Sequence, residues 1–313
     1  MVVLPSQTTA FHNDSLILTV NMTIADRMPH PTRRSLKDIL RAPGCLIASS
    51  VFDPVSARIA QDLGSEVGVL GGSVASHTIL GAPDIVLLTA TELVEQARRI
   101  CRTDCVNLVV DADHGYGNAL NVMRTIQELQ AAGVAAACVE DSILPRSFGA
   151  SEAQSLVSLD EGIKKMQAAV QARGKGGEML VVARTNAVAS SGPAEAARRL
   201  RAYQDTGVDA LFVPYLKRRE ELDQIADQVS LPILIGGSHE SLHDLDYLAS
   251  RGVKIWLWGH QTFAVAVQAL YEAMKEIQAG VFPSQLKNKA SEARMRYVLD
   301  SDRYDNLTKQ YLE

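Results

Sequence analysis

The sequence predicts an α/β chain folded as a (β/α)8 TIM barrel with extra C-terminal helices, and three observations carry that prediction. Eight short apolar runs, many of them β-branched, alternate with seven helix-length segments of helical periodicity, and one more helix follows the last run. The runs are apolar throughout instead of alternating with polar residues, which marks parallel strands covered on both faces. No Gly-x-Gly-x-x-Gly follows the first run, which continues as Ser49-Ser50-Val51-Phe52-Asp53-Pro54, so an open dinucleotide-binding sheet is disfavoured.

Residues 1–35 mix Ser, Thr, Asn, Pro and Met around one apolar patch, Leu16 to Val20, and read as a flexible extension. The patch is too short for a secretory signal. Arg27, Arg33 and Arg34 leave organelle import as an alternative, against which stand Asp14 and Asp26. The barrel is expected over residues 36–280. Its strands are read at 45–48, 66–70, 107–112, 135–140, 180–184, 210–213, 232–235 and 254–257. The helices between them are read at 54–63, 91–101, 119–132, 159–173, 193–206, 217–228 and 242–251, with a last one at 261–278. Gly64, Gly133, Gly207 and Gly252 stand where helices should stop. Residues 281–313 form a polar, helix-prone tail beyond what a barrel needs, suited to packing on its own barrel or to exchange between subunits.

With 313 residues, 47% hydrophobic and 21% charged, the composition is that of a globular protein. A net charge of −5 gives no basic footprint for nucleic acid. No apolar run reaches the roughly 18 residues of a membrane span. Cys45, Cys101, Cys105 and Cys138 sit in or beside apolar segments without a zinc-site spacing, so free thiols in a reducing, cytoplasmic setting are expected.

Barrel enzymes place their chemistry at the C-terminal ends of the strands. Here most of those ends are polar. The first offers Ser49, Ser50 and Asp53, and the second Gly71-Gly72-Ser73 with Asp84 further along its loop. The third offers Asp111, Asp113 and His114, and the fourth Glu140 and Asp141. The fifth offers Arg184 and Asn186, and the remaining three Tyr215, then Ser238 and His239, then His260. Side chains at i and i+2 of a strand share a face, so Asp111 and Asp113 are expected to point at one spot. An isolated Asp-x-Asp is more often a helix cap or a solvated turn. With Glu140 and Asp141 ending the next strand, converging acids instead suit a hard divalent cation such as Mg²⁺. Trp258 and His260 read as packing at the barrel rim.

Six stretches agree in order and spacing with a known group of proteins: Ser50 to Arg58, Leu70 to Ser73, Gly81 to Asp84, Asp111 to Asn118, Val139 to Asp141 and Ala183 to Asn186. Over about residues 36–280 the chain resembles the isocitrate lyase/phosphoenolpyruvate mutase superfamily. The resemblance implies a Mg²⁺ ion, with Mn²⁺ as its substitute, held directly or through water by Asp84, Asp111, Asp113 and Glu140. It implies that Ser50, Gly72, Ser73 and Arg184 bind the carboxylate of a small 2-oxo acid, and that subunits assemble as tetramers exchanging C-terminal helices.

Lyases of this superfamily carry a Cys-Gly-His loop after the fourth strand, and mutases an asparagine in place of the cysteine. Here the loop reads Pro145-Arg146-Ser147-Phe148-Gly149-Ala150. A phenyl ring at the cysteine's place neither donates a proton nor holds a phosphoryl group. The pattern looks closest to the oxaloacetate decarboxylase branch: loss of CO₂ from oxaloacetate or a close 2-oxo diacid, with pyruvate enolate stabilised by the metal. Water, Tyr215 or His239 then supplies the proton to C3, and Phe148 is expected to cover the site. The alternatives are a lyase for a branched 2-hydroxydicarboxylate, a phosphonopyruvate hydrolase-like enzyme, and a non-catalytic metabolite-binding protein.

Overall fold

Eight strands pair in parallel in sequence order: β1 (Leu46–Ser50), β2 (Val67–Leu70), β3 (Asn107–Asp111), β4 (Ala136–Glu140), β5 (Leu180–Arg184), β6 (Ala210–Pro214), β7 (Ile233–Gly236) and β8 (Val253–Leu257). β8 returns to β1 and closes the barrel. The computed structural model describes residues 33–146, 148–149 and 155–313, so the extension expected at 1–35 lies almost wholly outside the described residues.

The helices are α1 (Leu36–Arg41), α2 (Pro54–Asp62), α3 (Gly72–Ile79), α4 (Ala90–Cys101), α5 (Ala119–Ala131), α6 (Leu159–Arg173) and α7 (Ala187–Ser191). They continue as α8 (Pro193–Gln204), α9 (Arg219–Ala226), α10 (Leu245–Ser250), α11 (Gln261–Gln278), α12 (Glu292–Val298) and α13 (Ser301–Tyr311). Several start on reciprocal caps, Asp53 with Ser56 at α2 and Thr89 with Glu92 at α4, which satisfy amides that the first helical turn leaves unpaired. α1, α3 and α7 fall outside the helices expected from the sequence. α3 starts directly after β2 on Gly71, which makes no side-chain cap, so the usual start signal is missing.

Two apolar layers divide the work. Inside the barrel, Ala48, Val69, Val109, Cys138, Val182, Leu234, Ile255 and Leu257 interdigitate, and Leu36, Ile39 and Leu40 of α1 pack against them. Between strands and helices lies the larger layer, with Leu70, Leu93, Ile126, Leu129, Met166, Leu200 and Leu211 fully enclosed. A polar knot crosses this outer layer. Asp141, without exposed surface, accepts hydrogen bonds from Thr185 Oγ1 (2.8 Å), Tyr203 OH (2.8 Å) and Arg199 Nη1 (3.0 Å). Because successive strand residues face opposite ways, Glu140 looks into the barrel mouth while Asp141 looks out at α8.

α11 breaks the pattern of the other barrel helices. None of its residues is buried, and Val265, Leu270, Tyr271 and Met274 are between 57% and 68% exposed. The C-terminal tail lies against its own α2, where Arg58 donates to Val298 O (2.9 Å) and pairs with Asp300 (3.4 Å).

Gly162 marks the tightest approach of α6 to the polar knot: a Cβ there would sit 2.3 Å from Tyr203 OH. Helix propensity alone favours Ala over Gly by about 0.8–1 kcal/mol. Tyr203 is anchored on Asp141 and cannot yield freely, so overpacking should win. Gly162→Ala is expected to destabilise the fold by about 1–3 kcal/mol, read from the midpoint of urea unfolding.

Candidate active site

On β1, β3, β4 and β5 the inward face continues the interior apolar column and ends it in a polar group. Val109 is followed two residues later by Asp111, Cys138 by Glu140, Val182 by Arg184 and Ala48 by Ser50. Parallel pairing sets Glu140 directly beside Arg184, and Asp111 beside Cys138. Arg184 thereby reaches two acids at once, Asp111 Oδ2 through Nη1 (2.5 Å) and Glu140 Oε2 through Nε (3.0 Å). Phe212 lies under the guanidinium, 5.4 Å from ring centroid to Cζ.

Asp113 joins the cluster by a different route from the one expected. β3 ends at Asp111, and Asp113 has the left-handed φ of +46°, so a turn, not the strand pleat, aims it. Its amide donates to Asp111 Oδ1 (3.3 Å), and its carbonyl accepts from the Glu140 amide (2.8 Å). Its carboxylate packs on the backbone of Gly72, where a Cβ would come within 2.7 Å of Oδ1. Asp84, on the loop after α3, is exposed.

Two adjoining cavities share these groups. The inner one, about 200 Å³, is lined by Gly71, Gly72, Ser73, Asp84, Asp111, Arg184, Tyr215 and His260 above apolar walls that include Val69, Phe212 and Leu257. The outer one, about 590 Å³, is lined by all four acids, Arg184, Tyr215 and Arg146. α3 points its N-terminal amides at the inner cavity from Gly72 and Ser73, an arrangement that favours anions.

The charge balance is strained toward the negative. Burial pushes the Asp113 carboxyl well above the usual range, and the charges of Asp111, Glu140 and Asp84 add to it. Glu140 is raised by burial against the opposing pull of Arg184, and Asp84, which still reaches solvent, is raised by its partial enclosure in the cavity wall and by the charge of Asp111. Burial works against the charge on Arg184 too, yet Asp111 and Glu140 hold it more firmly protonated than an ordinary arginine. An all-oxygen acid cluster in which like charges repel fits a hard cation. Among the described residues no three His, Cys, Asp or Glu side chains converge tightly enough to enclose an ion by themselves. Donors so spaced are compatible with a cation that keeps several waters and takes only one or two carboxylates directly, as Mg²⁺ does.

Of the two expected proton carriers, Tyr215 lines both cavities. His239 lines neither; it is exposed, and its Nδ1 accepts from the Ser241 amide (3.1 Å). His260, read as rim packing, instead lines the inner cavity and shares a 2.6 Å hydrogen bond between Nδ1 and Ser50 Oγ. His114 is buried, which pushes its pKa down to about 4, with Lys165 adding to the shift. It stays neutral at physiological pH. Phe148 is fully exposed and covers nothing, and Ser147 and Ala150 of its loop lie outside the described residues.

The family model for phosphoenolpyruvate phosphomutase matches residues 36–278. The chain belongs to that family. An oxaloacetate decarboxylase of Paraburkholderia xenovorans (strain LB400) is 47% identical over 284 residues, 91% of this chain and 95% of the relative. Among solved structures, phosphonopyruvate hydrolase in complex with oxalate and Mg²⁺ superposes with a TM-score of 0.78 at 26% identity, covering 89% of this chain and 98% of that one. Oxaloacetate acetylhydrolase with the inhibitor 3,3-difluorooxalacetate gives a TM-score of 0.78 at 25% identity, over 88% and 97%. Within the isocitrate lyase/phosphoenolpyruvate mutase superfamily, the barrel scaffold is thus shared by members with different reactions.

The contact between Gly72 and Asp113 gives a test of the acid cluster. Gly72→Ala should displace the Asp113 carboxylate and weaken Mn²⁺ binding about tenfold, ~1.4 kcal/mol in a calorimetric titration. Unchanged affinity would show that Asp113 is dispensable for the cation.

Proposed function

We propose that the chain decarboxylates oxaloacetate, or a close 2-oxo diacid, to pyruvate and CO₂ with the help of Mg²⁺ or Mn²⁺. The observation that carries this reading is a pair of adjoining cavities that share Asp84, Asp111 and Arg184, one bordered by the start of α3 and the other by Asp113 and Glu140, in a chain 47% identical to an oxaloacetate decarboxylase. Asp84, Asp111, Asp113 and Glu140 would hold the cation, directly or through water. When bound, it supplies Lewis-acid polarisation of the 2-oxo group.

The protein's own groups do the rest. Arg184 offers a planar fork to a carboxylate, and the Gly72 and Ser73 amides add donors at the positive end of α3. The apolar walls formed by Val69, Val109, Leu234, Ile255 and Leu257 offer no side-chain hydrogen bonds to water. In such surroundings a second carboxylate is costly to keep charged, and its departure as neutral CO₂ relieves that cost. The C3–C4 electron pair becomes the C2=C3 bond while the carbonyl π pair moves onto the 2-oxo oxygen, which leaves the pyruvate enolate. Tyr215, between the two cavities, is the proposed donor of the proton to C3, and water restores its phenol. No cysteine is required, which accords with Phe148 at the loop.

Purified protein with Mg²⁺ and oxaloacetate should release pyruvate and CO₂, and a chelator should abolish the release. Asp111→Ala should lower kcat/KM by about 10³-fold while the protein still melts cooperatively, since several kcal/mol of charge stabilisation go with the cation. Isocitrate should give no succinate. A wild type that releases no pyruvate with either metal overturns the assignment.

The bare face of α11 supports a second proposal, a homo-oligomer, with four copies as the expected number. Beside it runs a groove of about 540 Å³ lined by Phe52, His77, Phe263, Val267 and Leu270. Burying such a surface is worth roughly 25 cal/mol per Å². Leu270→Glu should shift the mass in solution to smaller species, measured by light scattering; a monomeric wild type would contradict the proposal. Among the described residues no helix is long and apolar enough to cross a membrane. All four cysteines are unpaired, which suits a reducing cytoplasm.

A further inference from the structure

Asn186 lies between the two halves of the site. It stands at the N-cap position of α7, but its side chain makes no capping bond and turns back toward the strand ends. The residue is 1% exposed. Its Nδ2 donates to Glu140 Oε2 (2.8 Å) and to Ser142 Oγ (2.8 Å). Its Oδ1 accepts from Arg184 Nε (3.2 Å) and Nη2 (3.1 Å). A primary amide has two donors and two acceptor lone pairs, and here all four are engaged.

We propose that Asn186 is a positioning residue: it locks Glu140, on the cation side, and Arg184, on the carboxylate side, into one geometry, so that cation and 2-oxo acid bind as a unit. The inference rests on the reading of Glu140 and Arg184 given above. Amide polarity is what the position demands. An aspartate would satisfy Arg184 but turn a second carboxylate on Glu140, and an alanine would hold neither partner. The outer side of the same two strand ends is tied separately by Thr185 to Asp141, so the fold does not hang on Asn186 alone. Arg184 keeps its bonds to Asp111 and Glu140 when Asn186 is removed. What it loses are the two contacts that fix the plane of its guanidinium, and bidentate recognition of a carboxylate depends on that plane.

The test uses Mn²⁺ and oxalate as probes on the full chain, with the variants Asn186→Ala and the isosteric Asn186→Asp. Oxalate affinity of the Mn²⁺-loaded protein should fall about 10- to 100-fold in both, the range expected when a buried charged partner loses its hydrogen bonds. Melting temperature should fall by only a few degrees. A side chain that merely fills space would move stability and leave oxalate affinity alone, and the isosteric variant would then match the wild type. Oxalate affinity within twofold of wild type in both variants overturns the proposal. Oxaloacetate turnover by the wild type is scored separately: its absence, with oxalate still bound and still sensitive to Asn186, overturns the decarboxylase reading alone. No oxalate binding by the wild type overturns both.

Discussion

The arrangement of the site depends on the pairing of Arg184 with Asp111 and Glu140. Three acids of the cluster lie at strand ends or on the turn behind them, and Arg184 is the cation set among them. Removing one partner of a buried pair costs about 3–5 kcal/mol, because it strands a charge away from water. That cost makes the register of β3, β4 and β5 stringent. A slip of one residue would turn Glu140 outward and Asp141 inward, exchanging the contents of two polar systems that each have their own counter-ion.

Those two systems sit back to back. On the inner side Glu140, Arg184 and Asn186 face the cavity. On the outer side Asp141 is held by Thr185, Arg199 and Tyr203, and buried Lys165 donates to the Glu140 carbonyl (3.3 Å). Held on both faces, the ends of β4 and β5 have little freedom to shift. This is the rigidity that a carboxylate-binding fork and a cation site require, since small misplacements are costly in rate. Beyond β4, Phe148 stands in solvent.

The open face of α11 and the site meet in one residue. His260 precedes α11 and bonds to Ser50 at the end of β1, so the orientation of that helix bears directly on the cavity wall. Gly71 is pressed against the same imidazole: a Cβ there would fall 2.4 Å from Nε2. The placement of α11 and the wall of the inner cavity are therefore mechanically linked through His260.

The sequence by itself determined the barrel, the eight strand positions to within a few residues, and the set of acids and Arg184 at the strand ends. These follow from local patterns: apolar runs, helix-stopping glycines, and the two-residue period that carries the interior columns of β1, β3, β4 and β5 into polar ends. The resemblance of six stretches then named the chemistry. Tertiary structure decided what depends on backbone angles and on neighbours distant in the chain. Asp113 reaches the cluster through a left-handed turn that a period-two argument cannot see. α3 starts on an uncapped glycine, and His260 enters the cavity because β8 lies beside β1. Asn186 reads only as a polar residue at a strand end until the register of β4 on β5 brings Glu140 and Ser142 to its amide, and Phe148 faces solvent instead of covering the site. Short-range rules fix which face a residue takes; only the closed barrel fixes what it meets there.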